Sequence, residues 1–138
     1  MCIRDRLKGN PDQIFEQFND ISKVGIPIMI QDAPLSGIEL SVPLLTKMIN
    51  EIENLTCFKI ESANAASKIR ALIKNCSERL DAPFDGEESI TLYADLEAGI
   101  SGSMSSALLP EKIAPVIDHF WNNEKNKAEE IYLSLIHI

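Results

Sequence analysis

The stretch TCFKIES, residues 56–62, places a lysine inside a short run that otherwise has the composition of a buried strand. Side chains alternate across a strand, so Lys59 points to one face while Phe58 and Ile60 point to the other. The apolar pair is expected to face covering helices. Lys59 would then point into the centre of a barrel.

Helical and strand-like segments alternate on both sides of this stretch. Upstream, IPIMI at 26–30 is a short apolar run, and DAPLSG at 32–37 has the composition of a turn. Asn10, which a proline follows, and Ser41 each predict the start of a helix. Downstream, residues 64–76 repeat apolar side chains at helical spacing. This alternation is typical of strand–helix units in a parallel sheet.

The second half is predicted to hold two more units. ITLYADL, at 90–96, could be an alternating strand or a helix. A helix is favoured because Glu87 and Glu88 precede it and Gly99 follows it. Its inward residues would be Ile90, Tyr93, Ala94 and Leu96. The segments APF and SGSMSS would be strands, a last helix would begin at Glu111, and the NNEKNKAEE that follows would be solvated.

A helix followed by four strand–helix units indicates the α/β class and about half of a (β/α)8 barrel. An open doubly wound sheet is the alternative. However, no glycine-rich phosphate loop follows either of the first two strands, as that fold usually requires for nucleotide binding.

The two ends of the chain mirror each other at the level of DNA. One back-translation of MCIRDR, residues 1–6, has a reverse complement that encodes Leu-Ser-Leu-Ile-His, and the chain ends in LSLIHI, residues 133–138. This resembles the transposon end sequence attached to DNA when sequencing libraries are prepared. We therefore expect a domain over residues 7–132, as an internal piece of a longer gene. The alternative is a genuine start and a genuine apolar C-terminus.

Composition narrows the class of protein. The chain is 45% hydrophobic and 25% charged with a net charge of −8, which argues against nucleic acid and anionic membranes as partners. No apolar run approaches the roughly 18 residues that span a bilayer. Cys57 and Cys76 lack metal or redox spacing, which suits a cytoplasmic protein. His119 is the sole histidine in residues 7–132, which excludes a histidine-based triad or metal cluster there. No cofactor is predicted.

Lys59 has two interpretations. One is an edge strand, or an aliphatic stem that carries its ammonium out to water. The other is a Schiff-base lysine, whose desolvated amine loses its proton more readily and attacks a ketone carbonyl. Arginine could not serve in this role because it stays protonated.

Three segments together resemble the dihydrodipicolinate synthase / N-acetylneuraminate lyase family. They are VGIPIMIQDAPLSG (24–37), FKIES (58–62), in which Lys59 follows Gln31 by 28 residues, and GISGSMSSALLP (99–110). The resemblance runs from about residue 12 to residue 122. It implies a (β/α)8 class I aldolase of which this chain supplies approximately strands five to eight. It also implies that Lys59 forms an imine with pyruvate or a related 2-oxo acid.

Two positions depart from the family pattern. Gln31 stands where the family usually has a tyrosine that relays protons and binds the 2-oxo acid. Glutamine can orient a substrate or a water but has no useful pKa for acid–base catalysis. Ser36 stands where dihydrodipicolinate synthases carry an arginine for the carboxylate of the aldehyde partner. This serine argues against aspartate semialdehyde as a substrate. The family's carboxylate-binding loop would lie upstream of this chain.

The remaining candidates are weaker. Met104 matches a family position whose backbone carbonyl faces the imine, although its side chain is more simply barrel filling. Glu61 shares a face with Lys59, where it could hold the lysine charged or pair with another group. Asp32 is expected to start a turn, Cys57 to fill the core, and His119 to lie on the surface.

The predicted function is therefore a Schiff-base-forming lyase in which Lys59 and Gln31 are catalytic and Ser36, Met104 and Glu61 contact the substrate. One alternative is a sugar-acid dehydratase on the same fold. Another is a non-catalytic member that binds a 2-oxo or sugar acid. The resemblance also implies a homo-oligomer, a tetramer or dimer, at full length. The isolated chain is predicted to be inactive and poorly soluble, because half a barrel leaves strand edges unpaired.

Overall fold

The computed structural model describes residues 2–3, 9–76, 78–81 and 83–137 of the chain, and only the backbone of residues 2, 3 and 36. These residues form five strands: β1 (Cys2–Ile3), β2 (Ile28–Asp32), β3 (Leu55–Ile60), β4 (Phe84–Asp85) and β5 (Gly102–Ser103). They also form six α-helices: α1 (Pro11–Ser22), α2 (Val42–Glu51), α3 (Ala65–Cys76), α4 (Leu92–Ala98), α5 (Pro110–Trp121) and α6 (Lys125–Ile136). A 3-10 turn, Pro34–Ser36, follows β2.

The sheet is parallel throughout, and its strands lie side by side in chain order from β1 to β5. A doubly wound sheet reverses its strand order at a switch point, and the described strands show no reversal. Sequential order is the arrangement of a β/α barrel, as predicted. β1 lies within residues 1–6, one of the two ends predicted to derive from a sequencing adapter.

Two helix starts follow from their capping residues. Asn10 accepts a hydrogen bond from the backbone N–H of Gln13, whose side chain accepts from the Asn10 N–H in return. Ser41 accepts from the N–H of Leu44 at the start of α2. Each cap satisfies backbone donors that have no partner inside the helix. Both predicted starts are confirmed.

The core lies between the sheet and the helices. Phe58 and Ile60 on β3 and Ile30 on β2 are fully buried on this side, as the alternation of the strands predicts. They belong to one apolar cluster with side chains of α2 and α3, among them Leu45, Met48, Ile49, Ile69 and Leu72. Burial of these side chains fixes which face of β3 carries Lys59.

Two predicted boundaries were wrong in ways that affect the site. β2 begins at Ile28 and runs through Gln31 to Asp32, so Asp32, which was predicted to start a turn, is the last residue of the strand. α4 begins only at Leu92, and Ile90, predicted to face inward, is 65% exposed. The helix instead buries Asp95, which the apolar pattern did not indicate.

The polar segment after α5 is exposed to solvent as predicted, with Ala128 as its one buried residue, and most of it folds as α6. Tyr93 explains the docking, because its ring packs against Phe120 of α5 at 5.7 Å and Tyr132 of α6 at 5.9 Å between centroids. The Tyr132 hydroxyl donates to the backbone carbonyl of Ile90. Among the described residues, no helix has the length and apolar character needed to cross a membrane.

Candidate active site

Gln31, Lys59 and Glu61 meet at the carboxyl ends of β2 and β3. Gln31 and Lys59 are directly opposite each other in the parallel pairing of the two strands. The Lys59 Nζ lies 2.7 Å from Glu61 Oε1. Gln31 Nε2 donates to the same oxygen at 2.5 Å. One carboxylate oxygen of Glu61 therefore contacts both residues that were predicted to be catalytic, Lys59 and Gln31.

The cluster is partly buried. The side chains of Lys59 and Glu61 are 15% and 18% exposed, so both charged groups keep some contact with solvent. Their neighbours on β3, Phe58 and Ile60, point the other way into the helix-facing core. Lys59 is therefore held in place by the strand and by Glu61, because its two flanking residues are fixed by burial.

Gly86 lies beside this cluster, and its lack of a side chain leaves room for Lys59 and Glu61. A Cβ at position 86 would lie 2.3 Å from Glu61 Cγ and 2.8 Å from Lys59 Cε, closer than real side chains approach. Glycine alone fits there without displacing the pair. The sequence alone does not predict this contact, because Gly86 lies 25 or more positions after Glu61 and Lys59. The contact depends on how β3 and β4 pair.

Asp85 lies next to Gly86 and is fully buried. Its Oδ1 accepts from the Glu87 N–H at 2.9 Å, and its Oδ2 accepts from the Ser103 hydroxyl at 2.8 Å. Burial raises the pKa of Asp85, and these hydrogen bonds offset part of the rise. The Ser103 hydroxyl is also within hydrogen-bond distance of Ser89 and Ser105. No pattern in the sequence indicates this network beyond an abundance of serine.

Glu87 and Glu88 were interpreted as acids at a helix start, but α4 begins several residues later. Glu88 instead occupies a turn with a positive φ of 51°. Its carboxylate accepts a hydrogen bond from the Ser106 N–H at 2.8 Å. That hydrogen bond lowers the pKa of Glu88, and the positive charge of Lys59 lowers it further.

The other predicted residues lie around this cluster. Met104 follows β5, is 38% exposed, and donates its backbone N–H to the Asp85 carbonyl at 2.8 Å. Ser36 ends the 3-10 turn after β2, and its side chain lies outside the described part of the structure. Asp32 is buried on the opposite side of β2 from Gln31, with Lys68 of α3. Cys57 is buried.

His119 lies away from the cluster, on α5, where its Nδ1 contacts the Glu124 carboxylate. Within the described ranges, no three His, Cys, Asp or Glu side chains come together in a way that could hold a metal ion. The groups in mutual contact at the site are the Lys59 amine, the Glu61 carboxylate and the Gln31 amide.

Comparison with known proteins gives this arrangement a context. No family model matches the chain. The chain is 48% identical over 121 residues to the L-2-keto-3-deoxyarabonate dehydratase of Azospirillum brasilense, a match that includes 87% of this chain and 39% of that protein. It is 28% identical over 122 residues to the 4-hydroxy-tetrahydrodipicolinate synthase of Helicobacter acinonychis (strain Sheeba), with 86% and 39% covered.

Solved structures match over nearly the whole chain. The crystal structure of dihydrodipicolinate synthase from Aquifex aeolicus superposes with a TM-score of 0.84 at 25% identity, covering 97% of this chain and 46% of that one. The enzyme of the same name from Rhodopseudomonas palustris superposes with a TM-score of 0.87 at 16% identity, with 96% and 46% covered, which supports the fold alone. The chain thus spans less than half the length of the relatives it matches.

These matches and the sequential parallel sheet define the class of fold as part of a (β/α)8 barrel, with a lysine near the carboxyl end of one strand. The predicted fold class is therefore confirmed. The resemblance predicted from the three sequence segments is also confirmed, because the chain is similar over most of its length to members of the dihydrodipicolinate synthase family.

Proposed function

We propose that the protein is a Schiff-base-forming lyase that acts on pyruvate or a related 2-oxo acid. The contact between the Lys59 ammonium and the Glu61 carboxylate, 2.7 Å apart at the carboxyl end of a barrel strand, carries this proposal. Active sites of β/α barrels lie at this end of the strands. The similarity to a dehydratase and to synthases of the family supports a lyase.

Each residue of the cluster has a distinct part in the proposed reaction. Glu61 takes a proton from the ammonium, and the neutral Lys59 amine then attacks the 2-oxo carbon of the substrate. Glu61 returns its proton to the substrate's carbonyl oxygen, which leaves as water, and a protonated imine joins Nζ to that carbon. The imine withdraws electrons from the neighbouring carbon, so that a bond there can be made or broken. Gln31 orients the substrate or a water, because its amide can donate and accept hydrogen bonds.

Substrate contacts by Ser36 and Met104 remain proposals. Met104 is supported by its place after β5 and by its backbone hydrogen bond to Asp85, which fixes the chain beside the cluster. Ser36 is supported only by its position in the loop that follows Gln31.

A second candidate is dehydration of a 2-oxo sugar acid on the same imine. The observation that favours it is the 48% identity to a relative named as a dehydratase, together with Gln31 in the position of the family tyrosine. Here a base removes a proton from the carbon beside the imine, and a hydroxyl on the next carbon leaves as water. Glu61 is the nearest carboxylate for that proton transfer.

Borohydride trapping tests the proposed imine on the complete gene product. Incubation with pyruvate and borohydride should give a stable adduct in the wild type and in Lys74→Arg, which changes an exposed lysine of α3. A 2-oxo-3-deoxy sugar acid then separates the two candidates, because aldol cleavage releases pyruvate whereas dehydration keeps all the carbons together. The absence of an adduct with every 2-oxo acid tested would leave only the non-catalytic binding alternative.

A further inference from the structure

Asp32 is a fully buried carboxylate directly behind the proposed site. It follows Gln31 on β2 and faces the opposite side of the sheet. Its Oδ1 accepts from the Leu40 N–H at 2.9 Å. Its Oδ2 has no hydrogen-bond donor of suitable geometry among the described residues, but it lies 2.6 Å from the Lys68 Nζ. That ammonium therefore compensates the buried charge.

Lys68 is as unusual as its partner. Lysine is rarely buried, yet the Lys68 side chain on α3 is only 7% exposed. Its Nζ also reaches Glu39 Oε1 at 3.1 Å, and Glu39 is largely exposed. The ammonium thus links the end of β2, the end of the following loop and α3.

A buried ion pair is weak evidence for stability, because an apolar pair of similar volume often serves as well or better. The hydrogen bond from the Leu40 N–H could not be replaced by an apolar pair, because residue 32 must supply an oxygen to accept it. The hydrogen bond closes the loop 33–40 upon itself, from the last residue of β2 to the residue before the Ser41 helix cap. In β/α barrels, loops of this kind build the active site.

We infer that Asp32 and Lys68 form a buried clamp that closes the loop 33–40 and positions Gln31 for reaction at Lys59. The clamp acts through the backbone, because Gln31 and Asp32 are consecutive and their side chains leave β2 on opposite faces. Asp32 is therefore a positioning residue. Its effect on reaction rests on the proposed function, whereas closure of the loop does not.

Lys68→Met in the complete gene product is the first test. The change leaves the Asp32 carboxylate buried without its counter-charge, so the loop opens to let water reach it. Hydrogen exchange of the Leu40 amide should become faster. Imine trapping with pyruvate should slow by up to about 100-fold, the effect of a small misplacement in an active site. Lys74→Met, the same change at an exposed position of α3, should match the wild type in both measurements.

Two double variants keep the inference testable if Lys68→Met does not fold. Asp32→Asn with Lys68→Met removes both charges but keeps an oxygen for the Leu40 N–H. Asp32→Ala with Lys68→Met removes that oxygen as well. The clamp predicts slow Leu40 exchange and near wild-type trapping in the first variant only. Equal exchange in the two double variants would overturn it.

The outcomes separate this inference from the proposed function. If the wild type traps no 2-oxo acid, the proposed function fails, and Leu40 exchange alone decides whether the clamp exists. If the wild type forms the adduct but Lys68→Met traps it at the same rate, the positioning role is wrong. Faster Leu40 exchange together with slower trapping supports both parts of the clamp.

Discussion

Gln31 and Lys59 lie opposite each other on adjacent parallel strands, and both side chains contact the same oxygen of Glu61. This arrangement makes Glu61 the group through which the amide and the amine are coupled. Under the proposed function, Glu61 is the proton acceptor beside the lysine, and the Gln31 amide orients the substrate or a water.

Glu61→Gln is predicted to slow imine formation by roughly 100-fold or more, because it removes the proton acceptor while keeping a side chain of the same size. The rate of borohydride-trapped adduct formation with pyruvate measures this. Glu97→Gln, at an exposed position of α4, is the matched control. An unchanged rate in Glu61→Gln would show that the proton leaves Lys59 by another route.

Gly86→Ala is predicted to disturb the site directly. The added methyl group would lie 2.3 Å from Glu61 Cγ, so the Lys59–Glu61 contact must shift or the strand must move. We expect a loss of about 1–3 kcal/mol in the free energy of unfolding and a clear loss of imine trapping. Chemical denaturation and the trapping assay measure the two effects.

Gly25→Ala provides the comparison for that variant. Gly25 has a φ of +80° and open space around its Cβ position, so alanine there introduces backbone strain far from Lys59. It should lower stability while leaving imine trapping as in the wild type. If both glycine variants lost trapping in proportion to stability, the specific role of Gly86 would be refuted.

Asp95 is predicted to make stability depend on pH. Burial raises the pKa of its carboxyl to about 6, with smaller contributions from Asp85 and Glu87, and a hydrogen bond from Thr91 opposes the rise. The folded state therefore binds the Asp95 proton more tightly than the unfolded state. The contribution of this group to stability is present in full below about pH 4 and is lost as the pH rises through about 6.

Asp95→Asn should remove that dependence. The amide oxygen can still accept from Thr91, which donates to Oδ2 at 2.6 Å, but no charge is buried at high pH. We expect the variant to gain on the order of 2 kcal/mol over the wild type at pH 8, and to differ little from it at pH 4. Urea denaturation at both pH values measures the difference. Equal gains at both would mean that charge burial is not the cause.

Local patterns in the sequence predicted the face of Lys59 and two helix caps, but not the contact of Gly86 with Lys59. The face of Lys59 followed from the apolar residues on either side of it, because burial of Phe58 and Ile60 leaves one orientation. The helix caps at Asn10 and Ser41 are likewise local. The contact of Gly86 with Lys59 depends on strand pairing, which no short pattern encodes.

Buried polar residues were the main source of error. Asp32 was expected to start a turn, and Asp95 was not among the residues of the predicted helix 90–96 that were expected to face inward. Carboxylates are normally exposed, so a hydrophobicity pattern assigns them to the surface. Their burial is explained by their partners. Lys68 of α3 compensates the charge of Asp32, and Thr91, at the N-cap position of α4, donates a hydrogen bond to Asp95.

The most direct test of the account is to locate the trapped adduct. The complete gene product is treated with pyruvate and borohydride, digested, and mapped by mass spectrometry, with Lys59→Arg treated in parallel. If Lys59 forms the imine, the wild type gives a single modified peptide that contains Lys59, and Lys59→Arg gives no adduct. An adduct on another lysine, or one that persists in Lys59→Arg, would contradict it.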